Sequence, residues 1–275
     1  MKTTAILKVG ILGVGAIGRT LATALDEKRV DARLVAISDQ EQEKAEKFAA
    51  RLACPPHVVS LHELIQRADL LIEAASQAVL SDFVPMTLDA GRDALVMSVG
   101  GLLGRDEWFQ KASEKGCRIY VPSGAIAGLD GVKSASMGQV KSAVLTSRKP
   151  VAALKRIVYV VDHNVPLENF KEETVIFEGS AEEAARAFPT TSNVAASLRL
   201  ALLALDRTVP VCVRVVAVAG GTRNVHEIRI EGEFGRLSVD IENVPSKANP
   251  RTSQLAAFSA LATLANLTRS LSVGT

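Results

Sequence analysis

The 275-residue sequence predicts an α/β protein: a doubly wound parallel sheet, then a second α+β domain with a mixed or antiparallel sheet. Three observations carry that prediction. A glycine-patterned turn joins an apolar strand to an amphipathic helix near the start. Strands and helices then alternate as far as Val121. After Pro122 the pattern changes to small residues followed by longer alternating strands with fewer helices between them.

Lys8 to Leu12 reads as a short buried strand. Gly13, Gly15 and Gly18 follow as G-x-G-x-x-G, enclosing Ala16 and Ile17, and a helix over Ile17–Leu25 places apolar residues at 17, 21, 24 and 25. Each glycine has its own physical role. Gly13 permits the tight turn, Gly15 admits a pyrophosphate to the backbone, and Gly18 lets helix and strand pack closely. The free N–H groups and positive end of the helix then face the phosphates. A second apolar strand, Ala32 to Ser38, ends in Asp39, which stands 21 residues beyond Gly18. A carboxylate there is placed to accept the ribose hydroxyls of NAD. Gly13, Gly15, Ala16, Ile17, Gly18 and Asp39 are therefore candidates for dinucleotide binding in a Rossmann-type domain.

The alternation continues with a charged helix over Gln40–Leu52, a brief strand at Val58-Val59 and a helix over Leu61–Arg67. A buried strand over Asp69–Ala75 follows, then a helix from Ser76-Gln77 to about Ala90. Next come a strand over Ala94–Val99, a helix over Arg105–Lys115 and a strand over Cys117–Val121. Ligands of such sheets sit at the carboxyl ends of the strands, which makes Ser76, Ser98, Gly100 and Ser123 a cofactor-lining set. Beyond Pro122, Val132–Gln139 reads as a helix, and Val144–Arg148 and Leu154–Val161 as alternating strands. Thr174–Glu178 is a further strand, Ala181–Ala187 a helix with Ser180 as N-cap, and Asn193–Leu205 a longer apolar helix. Strands over Val209–Val218, His226–Glu231 and Gly235–Glu242 precede a final helix, Ser253–Ser270.

Composition narrows the function classes. With 48% hydrophobic and 23% charged residues the chain is that of a soluble globular protein, and a net charge of +2 gives no reason to expect nucleic acid or an anionic membrane as partner. The three cysteines, Cys54, Cys117 and Cys212, have neither CxxC spacing nor a nearby histidine pair, so no metal site is expected and the thiols suit a reducing compartment. Met1–Leu7 is too short and polar for a signal peptide, and the apolar runs fall short of a membrane span. A cytoplasmic location is expected.

The first sheet accounts for a cofactor but not a substrate. His57 and His62 occupy loop or helix-start positions where solvation explains them, and His163, in a polar loop before Asn164-Val-Pro166, is a lesser functional candidate. His226, in Thr222-Arg-Asn-Val-His226, leads into a strand beside Asn224 and Arg223, and an imidazole there suits general acid/base work. A histidine merely hydrogen-bonded at a strand start is the competing reading of the same residues. Arg148 and Arg251 are candidates for holding an anionic substrate, since arginine grips carboxylates bidentately. Ordinary surface charge is the alternative for each. No GxSxG, HExxH or P-loop is present to support hydrolase or kinase chemistry.

Over nearly its whole length the chain resembles the L-aspartate dehydrogenase family. The resemblance rests on Gly13–Gly18, Glu73-Ala-Ala-Ser-Gln77, Pro122-Ser-Gly-Ala-Ile-Ala-Gly-Leu-Asp130 and Phe177-Glu-Gly-Ser180. It continues through Phe188-Pro189 with Asn193-Val-Ala-Ala196, Asn224-Val-His-Glu227 and Asn249-Pro-Arg-Thr-Ser253. It implies NAD(P)-dependent oxidation of L-aspartate to iminoaspartate, which hydrolyses to oxaloacetate and ammonia or feeds quinolinate and NAD biosynthesis. It further implies His226 as the catalytic histidine, Ala125 and Asn193 near the nicotinamide, and a homodimer; Asn224, a polar residue beside His226, is a candidate for the substrate side. The domains implied are a dinucleotide-binding domain over 1–123, a catalytic and dimerising domain over 124–248, and a C-terminal helix over 249–275 that returns to the first. One departure stands out: many relatives carry an acidic residue, often within Ala-Asp-Pro, where this chain reads Ala217-Val-Ala-Gly-Gly221.

Asp39 favours NAD over NADP, and Gln40, Glu41 and Gln42 offer no basic pocket for a 2′-phosphate, although use of both remains open. The competing functions are a related two-domain reductase or dehydrogenase acting on another amino acid or imine, and a non-catalytic NAD-sensing protein.

Overall fold

The computed structural model describes residues 6–189, 192–203, 209–244 and 253–274. The chain divides into two compact units, one of residues 1–122 with 257–273 and one of residues 123–256 with the last two residues.

In the first unit the order is β1 (Leu7–Leu12), α1 (Ala16–Asp26), β2 (Ala32–Ser38), α2 (Gln42–Ala49), β3 (His57–Val58) and α3 (Leu61–Arg67). It continues with β4 (Leu70–Glu73), α4 (Leu80–Asp89), β5 (Asp93–Val96), α5 (Asp106–Lys115) and β6 (Ile119–Tyr120). The six strands form one parallel sheet in the order β3-β2-β1-β4-β5-β6. Buried strands here are near-continuous apolar runs, as a sheet covered on both faces requires: Val9, Ile11, Leu70, Ile72 and Leu95 pack with Leu21, Ala24 and Leu25 of α1. The order reverses between β1 and β4, which opens a crevice beyond the carboxyl ends of those two strands.

The second unit runs α6 (Leu129–Ser136), β7 (Val140–Pro150), α7 (Val151–Leu154), α8 (Val158–Asp162), β8 (Thr174–Ser180) and α9 (Ala181–Ala187). Then come α10 (Asn193–Leu203), β9 (Val211–Val218), β10 (Asn224–Gly232) and β11 (Gly235–Asn243). Its sheet has the order β11-β10-β7-β9-β8 and is mixed: β7 and β9 are parallel and the other pairs antiparallel. Ser180 caps α9 through a reciprocal box, its hydroxyl accepting the Glu183 N–H while the Glu183 carboxylate accepts the Ser180 N–H. The last helix, α11 (Gln254–Thr268), buries Ala260, Leu261, Leu264 and Ala265 in the same core as β1 and α1. Among the described residues no helix is long and apolar enough to cross a membrane.

One expected strand is absent. Leu154–Val161 forms the end of α7, a turn and α8, with Leu154 and Val160 buried while Val158 and Val161 are exposed. Leu154, half-buried Ile157 and Val160 recur every third residue against Phe188 and Val215. The β-branched composition suggests a strand, but packing selects the helical spacing. The strand expected over Val144–Arg148 is longer at both ends, and its last residues, 149 and 150, prove informative.

Candidate functional site

In the first unit the glycine turn is built by steric necessity. Gly13 has φ of 97°, and a Cβ there would lie 2.6 Å from the Ala74 carbonyl oxygen. A Cβ on Gly18 would lie 1.9 Å from the Gly13 oxygen, so only glycine lets α1 start this close to β1. Gly15 is different: a Cβ would meet nothing nearer than 3.9 Å, so the space beside its backbone is open. No side chain caps α1, and its half-buried first residues Ala16 and Ile17 lead from that open space. An uncapped N-terminus beside an open glycine is what a pyrophosphate requires.

Asp39 follows β2 and holds this turn in place. Its carboxylate accepts the Val14 N–H at 2.6 Å and the Glu41 N–H at 3.0 Å. At the end of β4, the fully buried Glu73 accepts hydrogen bonds from the Ser98 hydroxyl (2.8 Å), the Ser98 N–H (2.9 Å) and the Ala75 N–H (2.8 Å). Burial pushes the Glu73 carboxyl pKa up while those donors hold it back. The Ser98 hydroxyl is thus engaged in joining the ends of β4 and β5, whereas Ser76 is exposed with no capping bond of its own. A groove at the start of α2 is lined by Arg19, Lys44, Lys47 and Arg51 together with Glu41, Gln42, Glu43 and Phe48. The Arg19 guanidinium lies 5.4 Å from the Phe48 ring centroid and donates to the Val14 carbonyl. Basic side chains of α1 and α2 thus share this groove with carboxylates. Lys44 and Lys47 are ion-paired with Glu41 and Glu43.

In the second unit, sheet register sets the site. His226 pairs with Ser147 across β10 and β7 and with Ile241 across β10 and β11. It is 4% exposed, and its Nδ1 lies 2.6 Å from the Ser147 Oγ. Burial first, and the charge of Lys149 second, push the imidazole pKa down to about 3, so the ring is neutral at physiological pH. Lys149, two residues along β7 on the same face as Ser147, is 6% exposed, and burial lowers its pKa to about 8. Asn243 of β11, opposite Asn224, donates to the Ala125 carbonyl at 2.9 Å and accepts the Ser253 hydroxyl.

The structure thus brings His226, Asn224 and, through Asn243, the Ser123–Ala125 loop to one part of this unit. Half-buried Asn193 begins α10. Arg148 alternates to the opposite face, where its guanidinium is committed to Glu227 (2.8 Å) and Glu173 (3.0 Å). Arg251 lies outside the described residues. His163 is exposed and stacks on Tyr159 at 4.1 Å. His57 and His62 are also exposed. Sequence reasoning passes over Ser147 and Lys149, whose signal is their two-residue spacing on a strand. Among the described residues no cluster of His, Cys, Asp and Glu suited to a metal occurs.

A parallel sheet with a glycine turn at its switch point, joined to a mixed-sheet unit with a buried imidazole, defines a two-unit pyridine-nucleotide dehydrogenase. Comparison with known proteins narrows the class. Residues 13–122 match the family model described as homoserine dehydrogenase, NAD binding domain, and residues 130–267 match aspartate dehydrogenase, C-terminal. An L-aspartate dehydrogenase of Methanosarcina acetivorans is 45% identical over 98% of this chain and 100% of its own length. One from Bradyrhizobium diazoefficiens is 38% identical over 98% and 94%. The crystal structure of aspartate dehydrogenase from Thermotoga maritima aligns with a TM-score of 0.74 at 25% identity, covering 98% and 99% of the two chains. The chain belongs to the L-aspartate dehydrogenase family.

Proposed function

We propose that this protein is an NAD(P)-dependent dehydrogenase that oxidises L-aspartate to iminoaspartate, which water converts to oxaloacetate and ammonia or which passes to quinolinate and NAD biosynthesis. The observation that carries the reading is the 45% identity, across 98% of the chain, to a relative named L-aspartate dehydrogenase. The residues present fit the cofactor: the open space at Gly15, the uncapped start of α1 and the carboxylate of Asp39 each match one part of a dinucleotide. When bound, the nicotinamide supplies the acceptor for the hydride leaving the substrate α-carbon.

The chain's own residues do the rest. His226 is neutral and can accept a proton. With Nδ1–H donating to Ser147, Nε2 carries the lone pair, and it takes a proton from the substrate ammonium or from the water that attacks the imine. Ser147 holds the ring in that orientation. In this reading Ser123, Ala125 and Asn193 position the nicotinamide, and the hydrogen bond from Asn243 to the Ala125 carbonyl supports the loop. Holding the reacting groups in near-attack geometry then contributes much of the rate. NAD is the preferred cofactor because Asp39 repels a 2′-phosphate. NADP is accepted at lower efficiency through Arg19 and the basic side chains of α2. The active form in this reading is a cytoplasmic homodimer.

The test is NADH formation by purified protein with NAD and L-aspartate at alkaline pH, beside D-aspartate, L-glutamate and L-alanine. Strong selectivity for L-aspartate is expected. Absence of turnover in both directions, with oxaloacetate, ammonia and NADH supplied for the reverse, would overturn the reading.

A further inference from the structure

The face of the second sheet that carries His226 also carries a row of polar side chains across three strands. Asn243 of β11 is opposite Asn224 of β10. The β10–β7 register runs through Val225 with Arg148, so one step further Asn224 stands opposite Lys149, which in turn pairs with Ala217 of β9. The adjacent row is Ile241, His226, Ser147 and Val215. Lys149 is the charged member of these two rows. It is buried, and burial alone lowers its pKa, with no carboxylate beside it among the described residues. Two polar atoms of this part of the unit have no partner among the described residues: the Oδ1 of Asn224 and the Oγ of buried Ser192. Ser192 lines one small cavity together with Ser147 and Lys149.

A buried ammonium without a counter-ion is costly unless something brings the opposite charge. The other cation of this strand end, Arg148, is already neutralised by Glu173 and Glu227. Ser192 and Asn224 add hydrogen-bonding capacity at the same place. We propose that Lys149 is the substrate-holding residue of this enzyme, its ammonium taking a carboxylate of the dicarboxylic amino acid, with Asn224 and Ser192 beside it as polar neighbours. The inference rests on the aspartate reading for the identity of the ligand, but not for the presence of an anion site.

Binding there has a consequence for the base. Besides burial, Lys149 is the charged group that holds the His226 imidazole low. The side chains facing His226 along the sheet, Ser147, Asn224 and Ile241, carry no charge, and Glu227, Arg148 and Arg229 alternate to the other face. A carboxylate on Lys149 offsets its field and makes His226 a stronger base once substrate has arrived. Lys149 acts on catalysis by binding substrate and tuning the base, while His226 handles the proton.

The experiment compares wild type, Lys149→Met and Lys149→Arg. In Lys149→Met the KM for L-aspartate should rise on the order of 100-fold, the effect of losing a charge-assisted contact. The drop in kcat should be much smaller, and the NAD KM should stay unchanged. Affinity for succinate, a dianion without the reacting amine, should fall by a similar factor in calorimetry. Removing the positive charge should also move the acid limb of the kcat/KM profile to higher pH, and Lys149→Arg should restore part of the succinate affinity. In wild type, NMR titration of the Lys149 ammonium should show its pKa rising when succinate binds, a readout that does not depend on the variant folding. Unchanged succinate affinity in a folded Lys149→Met, or a Lys149 titration indifferent to succinate, would overturn the proposal. Succinate binding that depends on Lys149 in a protein without aspartate turnover would uphold the anion site and reject the aspartate reading instead.

Discussion

The two units make their sites in opposite ways. In the first, Gly13, Gly15 and Gly18 form a backbone site within one turn, and side chains such as Asp39 and Glu73 hold the ends of strands in place. In the second, the candidate site is all side chains, gathered from strands more than seventy residues apart, as Ser147 and His226 illustrate. A backbone site tolerates few substitutions but adds little electrostatic cost. A side-chain site in a buried sheet leaves Lys149 charged and His226 neutral where water is scarce. The contrast teaches that the first unit offsets its buried carboxylate, Glu73, with hydrogen bonds from Ser98 and Ala75, whereas in the second the buried Lys149 has no such compensation among the described residues.

The most severe test of this contrast is His226→Ala. Turnover should fall on the order of 1,000-fold, as for loss of a general base, while NAD affinity measured by fluorescence stays as in wild type. Equal loss of both would erase the division of labour between the units. Next is Gly18→Ala, where the new Cβ would overlap the Gly13 oxygen. It should cost roughly 3 kcal/mol or more in urea unfolding, because backbone rather than a flexible side chain must move.

Lys149→Met should shift stability the other way. A lysine pKa lowered from 10.5 to about 8 corresponds to a burial cost of roughly 3 kcal/mol, an upper bound on the gain when the charge is removed. The sign with pH is defined: between about 8 and 10.5 the unfolded chain binds more protons, so wild-type stability rises with pH there and the variant's does not. For His226 the same linkage works at the acid end, with stability lost as pH falls from 6.5 toward about 3. Thermal unfolding across pH separates the two. Gly15→Ala completes the pairing with Gly18→Ala: φ of −79° and open space allow the methyl group, so stability should hold while the NAD KM rises about tenfold. The smallest effect should come from Arg19→Ala, which should lower kcat/KM with NADP about fivefold, the value of one exposed charged contact, and leave NAD nearly unchanged. An equal effect on both cofactors would remove Arg19 from the discrimination.

Much of the fold is legible because its signals are local. The strand Ala32–Ser38 and the helices Leu61–Arg67 and Ala181–Ala187 end where turn and capping residues say they should, as Ser60 and Ser180 demonstrate with complete capping boxes. Leu154–Val161 defeats such reading because its Ile-Val-Tyr-Val-Val composition matches a strand, and only the fit of Leu154 and Val160 against Phe188 makes it helical. Arg148 and Lys149 show the same limit at the site. Adjacent in sequence and alike in charge, they are separated by the pleat: one faces Glu173 and Glu227, the other lies buried beside the His226–Ser147 pair.

By itself, then, the sequence determined the glycine turn, the β-α order of the first sheet and the presence of His226 in a strand of the second. Those follow from steric rules acting over a few residues. Which lysine or arginine was left without a carboxylate, and which serine would hold the imidazole, depended on the pairing of β7 with β10 and on which face each residue took. That outcome is set by long-range register, since moving a strand by one residue exchanges its faces, and only the tertiary structure decides it.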